Sequence, residues 1–273
     1  MRRRAIDGTV GLAHALRMPR RDFLKVTSGV AAHAFLGACA SRAGAPPSSP
    51  SSRARAIAFD LFTIFDPRSV IRAAETVLSA GAAELCASLR TRQFEYSWLL
   101  AAADRYADFA TVTDQALVYA ARDRHIALSQ EQRRVIVDAH SALEPWPDTR
   151  EQLVEWKRAG LRLAPLSNYS PAMLGRLVRH ADLAGVFDLL ISSEAARTFK
   201  PSPRAYALGP ALLGMDRREI VFAAFGGWDA AGAKWFGFPT FWVNRLGVTE
   251  EALPPAPDAT GATLAQLAAF VGA

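Results

Sequence analysis

Five short apolar runs, at residues 56–60, 161–166, 189–192, 220–225 and 240–243, alternate with stretches of helical spacing at 148–159, 171–180, 203–213 and 230–236. Runs this short, with no polar face, have the length of strands buried on both sides. Strands separated by helices pair in parallel, because the chain must cross back over the sheet before the next strand starts. The alternation therefore predicts an α/β fold: a doubly wound parallel sheet of Rossmann-like form with helices on both faces. Such sheets bind their ligands beyond the carboxyl ends of the strands.

Residues 70–145 break the alternation. Spans 84–103 and 112–123 have helical spacing, with Leu85, Leu89, Tyr96 and Leu99 on one stripe. They predict a helical cap inserted after the first strand, leaving a core of 56–69 and 146–273. With 51% of its 273 residues hydrophobic, the chain can fill a core and a cap together.

The ends of the apolar runs carry the reactive groups. Asp60 closes the first run, Ser167 and Asn168 follow the second, Lys200 the third and Asp229 the fourth. In a parallel sheet all of these face one edge. A carboxylate at the end of an apolar strand is costly without a partner. A nearby lysine supplies one and keeps the acid ionised, ready to act as a nucleophile. Each group also has a structural reading alone, Asp60 and Asp229 as caps and Ser167-Asn168 as turn formers. Four groups on one edge in this order favour a site.

The formal charge is +6, and Arg2, Arg3, Arg4, Arg17, Arg20, Arg21 and Lys25 all precede residue 26. Beyond them the signs are mixed, with no basic block among aromatics, which argues against a nucleic-acid partner. The two cysteines, Cys39 and Cys86, give no disulfide framework, and Cys86 reads as a small apolar side chain. No Cys/His spacing suits a metal ion. His125, His140 and His180 read as surface or capping residues, and no metal or cofactor is expected.

Before the core, Pro19-Arg20-Arg21-Asp22-Phe23-Leu24-Lys25 precedes an apolar run at 26–38. This resembles a twin-arginine export signal, and the run is shorter than the roughly 20 residues a membrane span needs. Leu36-Gly37-Ala38-Cys39 resembles a bacterial lipobox, which would make Cys39 a lipidation site. Residues 1–39 then read as an export signal. Residues 40–55, rich in Ala, Ser and Pro, read as a flexible tether to a periplasmic membrane surface.

The order Asp60, Ser167-Asn168, Lys200-Pro201 and Asp229 resembles the haloacid-dehalogenase-like hydrolases, and more closely their L-2-haloacid dehalogenases. Phe59-Asp60-Leu61-Phe62-Thr63-Ile64-Phe65-Asp66 is similar to that family's first motif. Arg90-Thr91-Arg92-Gln93-Phe94-Glu95-Tyr96-Ser97-Trp98 is similar to the cap helix that carries its substrate arginine. Arg105-Tyr106-Ala107-Asp108-Phe109, Tyr206 and Trp228-Asp229-Ala230-Ala231-Gly232-Ala233 also match, and the likeness runs from about Ala56 to the end.

The resemblance implies a dehalogenase of small 2-haloalkanoic acids. Asp60 would attack the carbon bearing the halogen and form an ester. Arg90 and Asn168 would receive the halide, and Ser167 would hold the substrate carboxylate. Lys200 would orient Asp60, Tyr206 would support that network, and Asp229 would direct the water that opens the ester. Phe62, Thr63, Thr91, Phe109 and Trp228 would complete the substrate pocket. A homodimer is compatible with this family.

The chain departs from the family pattern in two places. The Gly between the aromatic residue and the Thr of the first motif is missing, so Phe62 leads straight to Thr63. The family's Ser and Asn near the last acid are Ala224 and Gly226 here. Magnesium phosphatases of the superfamily place acids at the positions of Phe62 and Phe225, which removes two oxygen donors for the metal. A phosphatase and a non-catalytic binding lipoprotein on the same fold are the alternative readings.

Overall fold

Successive residues of the first strand face opposite sides of a sheet, and both sides are apolar. Ile57 and Phe59 enter one hydrophobic cluster, Ala56 and Ala58 another. The same alternation holds in the next strands: Leu163 against Ala164, and Val221 against Phe222. A sheet of this kind must be covered on both faces, and helices cover it.

The structure, a computed structural model, describes residues 54–272. The export signal, Cys39 and most of the tether lie outside the described residues. Strands β1 (Ala56–Phe59), β2 (Arg162–Ser167), β3 (Ile191–Ser192), β4 (Ile220–Ala224), β5 (Thr240–Val243) and β6 (Ala259–Gly261) form one sheet in the order β3-β2-β1-β4-β5-β6. Every pairing is parallel. This is the doubly wound α/β sheet that the alternation predicts, with β6 as an additional edge strand. Phe59 of β1 sits beside Pro165 of β2 and Ala223 of β4, so the chain segments leaving these strands emerge together.

A single turn, α1 (Leu61–Ile64), follows β1 directly. The chain then leaves the sheet through α2 (Ser69–Glu75), α3 (Ala82–Ala102), α4 (Phe109–Asp123) and α5 (Gln130–Asp138). It returns where Phe65 and Pro145 form an antiparallel bridge. Asp108 caps α4 by accepting from the Thr111 N–H at 3.0 Å, and Ser129 and Gln132 form a capping box on α5. Gln93 of α3 donates to the Thr113 hydroxyl of α4 at 2.8 Å, and so satisfies polar atoms inside the helical insert.

His140 departs from its surface reading. It is buried in the short turn after α5, with Nδ1 3.1 Å from the Ile136 carbonyl and Nε2 3.2 Å from Gln93 Nε2. Nδ1–H therefore donates and Nε2 accepts. Burial, with the Arg90 cation nearby, pushes its pKa down to about 4, so it is neutral at pH 7.

The remaining helices are α6 (Thr149–Arg158), α7 (Pro171–His180), α8 (Pro203–Tyr206), α9 (Leu208–Leu213), α10 (Gly227–Phe236) and α11 (Leu264–Val271). Trp156 of α6 packs on Phe59 with ring centroids 5.7 Å apart, and each such fully buried side chain contributes roughly 1.5–3 kcal/mol. The helix predicted at 203–213 divides into α8 and α9. Pro210 has no N–H to donate to the Tyr206 carbonyl, so the turn is released there.

Candidate active site

Asp60 is the first residue past β1, and its own backbone shapes its surroundings. As N-cap of α1 its Oδ1 accepts from the Phe62 N–H at 2.9 Å. The carbonyls of this turn are taken up from outside it. The Trp146 indole N–H donates to the Phe62 carbonyl at 3.0 Å, and the Arg245 Nε–H to that of Thr63 at 2.9 Å. The Thr149 hydroxyl donates to the carbonyl of Ile64 at 2.9 Å. The turn, and with it the carboxylate, is thereby fixed from two distant parts of the chain.

Lys200 Nζ lies 2.7 Å from Asp60 Oδ2 and 2.7 Å from Asp229 Oδ2. All three side chains are buried, Lys200 at 1% exposure and Asp229 at 0%. Two carboxylates and one ammonium leave a net negative charge in a dry setting, and that charge is unequally shared. Burial pushes the Asp60 carboxyl up, but Lys200, with the Phe62 N–H, outweighs burial and holds it below the usual carboxylate value. Asp229 is pushed up to about 7 by burial and by the Asp60 charge, against the pull of Lys200. At neutral pH Asp60 is therefore the firmly ionised acid, and Asp229 is poised between its two forms.

Tyr206 donates to Asp229 Oδ1 at 2.6 Å. It reaches that oxygen only because residue 232 is Gly: a Cβ there would stand 2.5 Å from the phenol oxygen. Asn168 Oδ1 accepts from the Lys200 N–H at 2.8 Å and from the Ser193 hydroxyl at 3.2 Å. Its Nδ2 therefore faces outward as a donor. Ser167 Oγ accepts from the Tyr169 N–H at 3.0 Å and keeps its own proton to give.

Above these groups lies a cavity of about 30 Å³, bordered by Asp60, Arg90, Ser167, Asn168, Phe109 and Trp228. Arg90 comes from α3 of the insert. Its guanidinium stands 5.1, 5.2 and 5.7 Å from the ring centres of Phe62, Phe94 and Phe225. Among the described residues it makes no hydrogen bond or ion pair, so its five donors are free for an anion. Burial draws its pKa down while Asp60 supports it, and arginine remains charged throughout.

Thr63 and Thr91, expected in the substrate pocket, do not border this cavity, and neither does Tyr206. Thr63 is fully buried, its hydroxyl donating to the Asp60 carbonyl at 2.7 Å. It lies inside α1, which begins directly after Asp60. Thr91 is exposed and donates to the Ala87 carbonyl at 3.2 Å. It follows Arg90 on α3 and is turned about 100° away from it. Tyr206 makes its hydrogen bonds to Asp229. In the other direction, Phe94, Tyr169 and Phe225 border the cavity and were not assigned to it. Gly226 also borders it. A Cβ there would stand 2.7 Å from the Trp228 indole nitrogen, so the indole fills the space of a larger side chain.

Residues 54–237 match the haloacid dehalogenase-like hydrolase family. The (S)-2-haloacid dehalogenase of Pseudomonas sp. strain YL is 39% identical over 205 residues, which is 75% of this chain and 88% of that protein. This chain belongs to the L-2-haloacid dehalogenase family. Solved members superpose on it. One L-2-haloacid dehalogenase does so with a TM-score of 0.79 at 36% identity, over 81% of this chain and 100% of that one. The enzyme from Xanthobacter autotrophicus with chloropropionic acid covalently bound gives 0.75 at 34% identity, over 80% and 98%. Within the family pattern, Asp60, Ser167-Asn168, Lys200 and Asp229 occupy one edge of the sheet as expected, and Arg90 of the insert faces them.

Proposed function

We propose that the protein hydrolyses the carbon–halogen bond of small 2-haloalkanoic acids through an ester on Asp60. The observation that carries this reading is that an ionised Asp60 and an unpaired Arg90 border one small apolar cavity. An attacking carboxylate and a receiver for the departing anion thus border the same cavity. Ser167 and the outward amide of Asn168 supply donors for the substrate carboxylate and the halide. The relative with chloropropionic acid covalently bound supports the same chemistry.

In the first step Asp60 displaces halide, which leaves with the bonding electron pair. The ester neutralises Asp60 and so removes the charge that raises Asp229. Asp229 then ionises more readily at the stage when water must lose a proton. Water adds at the carboxyl carbon of Asp60. The oxyanion that develops there faces Lys200 and the Phe62 N–H, both already in place. Collapse releases the 2-hydroxy acid and restores Asp60.

Phe62 and Phe225, with centroids 5.8 Å apart, put hydrocarbon where the magnesium phosphatases of the superfamily carry acids. Halide release from L-2-chloropropionate is expected to persist in EDTA, beside no turnover of phosphate esters. Loss of halide release in EDTA with recovery in magnesium would sink the metal-independent reading. Complete absence of halide release would sink the dehalogenase reading.

The two steps should respond differently to acid. Alkylation needs only ionised Asp60, whose carboxyl lies low. Ester hydrolysis needs unprotonated Asp229, which the loss of the Asp60 charge brings below the value of about 7 it has in the free site, so this step slows only as the pH falls well below neutrality. At about pH 5, rapid-quench assays should show a burst of one halide per site before a slow steady state. A steady rate without a burst at that pH would contradict the role of Asp229.

Export belongs to the same proposal. Arg20-Arg21 and Leu36-Gly37-Ala38-Cys39 support a twin-arginine route and a lipid anchor in the periplasm. Changing both arginines to Lys should keep the protein in the cytoplasm, and Cys39→Ala should release it from membranes. Unchanged fractionation of both variants rules the idea out.

A further inference from the structure

Tyr169 follows Ser167-Asn168 directly and closes the reaction cavity from the core side. Its ring is stacked on Phe109 with centroids 5.0 Å apart, and it meets Phe62 edge-on at 6.2 Å. The phenol is thus rigidly placed, at 2% exposure. Its oxygen is buried and has no hydrogen-bond partner. A buried hydroxyl without a partner is costly, and native proteins rarely keep one for structure alone. The charges of Arg90 and Asp60 both act on this hydroxyl. Tyr169 shares the lining of the cavity with both the nucleophile and the guanidinium.

We infer that the Tyr169 hydroxyl binds the departing halide together with Arg90, as a further catalytic residue of the site. The inference rests on the dehalogenase reading above. An in-line displacement drives the leaving group away from Asp60, toward the Arg90 side. There the anion takes the full bonding pair and needs donors at once. Tyr169 supplies one O–H and keeps its proton, since burial raises its pKa. It gives a hydrogen bond and transfers nothing. A neutral donor beside a cation serves a compact, strongly hydrated halide best. Chloride should therefore depend on Tyr169 more than iodide, whose charge is diffuse.

Tyr169→Phe removes one oxygen and leaves the ring packing intact, so the melting temperature should hold or rise. The rate on L-2-chloropropionate should fall roughly tenfold to a hundredfold, as for loss of a hydrogen bond to a charged group. The fall should be smaller on the bromo analogue and smallest on the iodo analogue. Bromide binding by the unliganded protein, measured by calorimetric titration, should weaken at least about fivefold. Equal rate losses across the three leaving groups would overturn the inference, because a merely structural defect has no reason to grade them. Bromide affinity equal in the two proteins, or no bromide binding by the wild type, would overturn it as well. The titration needs no turnover, so it decides the role of Tyr169 separately from the test of dehalogenation.

Discussion

Asp60→Asn removes turnover while the fold survives. The expected loss is roughly 10⁴-fold or more, because an amide cannot form the ester on which both steps depend. The side chain keeps its volume, and one of its two polar atoms still accepts. The other becomes an N–H facing either Lys200 or the Phe62 N–H, where the wild type has an acceptor. That mismatch costs about 1–3 kcal/mol, and Lys200 retains Asp229 as its ion pair. The same residue can be followed by isotope. A single turnover in heavy-oxygen water should place the label in Asp60, because water adds to its carboxyl carbon, and only later turnovers pass it to product. Label found in the first product molecule would mean that water attacks the substrate directly, and the ester mechanism would fall.

Lys200→Met should cost both activity and stability. The methionine fits the space, but it leaves two buried carboxylates side by side with no cation between them. Breaking a buried ion pair costs about 3–5 kcal/mol, so the melting temperature should drop by about 10 °C. Desolvation, no longer opposed, then raises both carboxyls above their unfolded value. A raised carboxyl contributes stability that is present at low pH and is lost as pH climbs through the folded value. The variant's deficit should therefore be small near about pH 4.5 and largest above about pH 7. Protonated Asp60 is also no nucleophile at neutral pH. Denaturation curves of variant and wild type at the two pH values test this. A deficit independent of pH would show that Lys200 acts through packing and not through charge.

The parts of this architecture legible in the sequence are those set by burial on both faces. Strands β1, β2, β4 and β5 are continuous apolar runs, and their order relative to the helices leaves few ways to assemble them. Strand β6 escapes the same reading. Its three residues, Ala259, Thr260 and Gly261, lie on the sheet edge and need no apolar side chains. The acids and the lysine were readable because a charge at the end of an apolar strand has no other economy. What no local pattern reveals is the direction of a side chain on a turn or a helix. Thr63 turns inward within α1, where its hydroxyl meets the Asp60 carbonyl. Thr91 points to solvent because its neighbour Arg90 occupies the inner face of α3. Tyr169 sits beside a recognised pair, yet its meaning depends on Phe109 and Phe62, which come from other parts of the chain. His140 is buried, with Gln93 of α3 as a partner across the insert.

The pinning of α1 also bears on when activity can arise in a growing or refolding chain. The turn that carries Asp60 is held by Trp146 and Thr149, 84 and 85 residues further on, and by Arg245, 182 residues from Thr63. Lys200, which keeps the acid ionised, is 140 residues away. Helices close over a few residues and form early, whereas contacts this remote must wait for the loops between them to close. The reactive centre is thus among the last things the chain completes. An incomplete chain that already holds Asp60 and the whole insert, but lacks Lys200 and Arg245, has a carboxylate and no nucleophile.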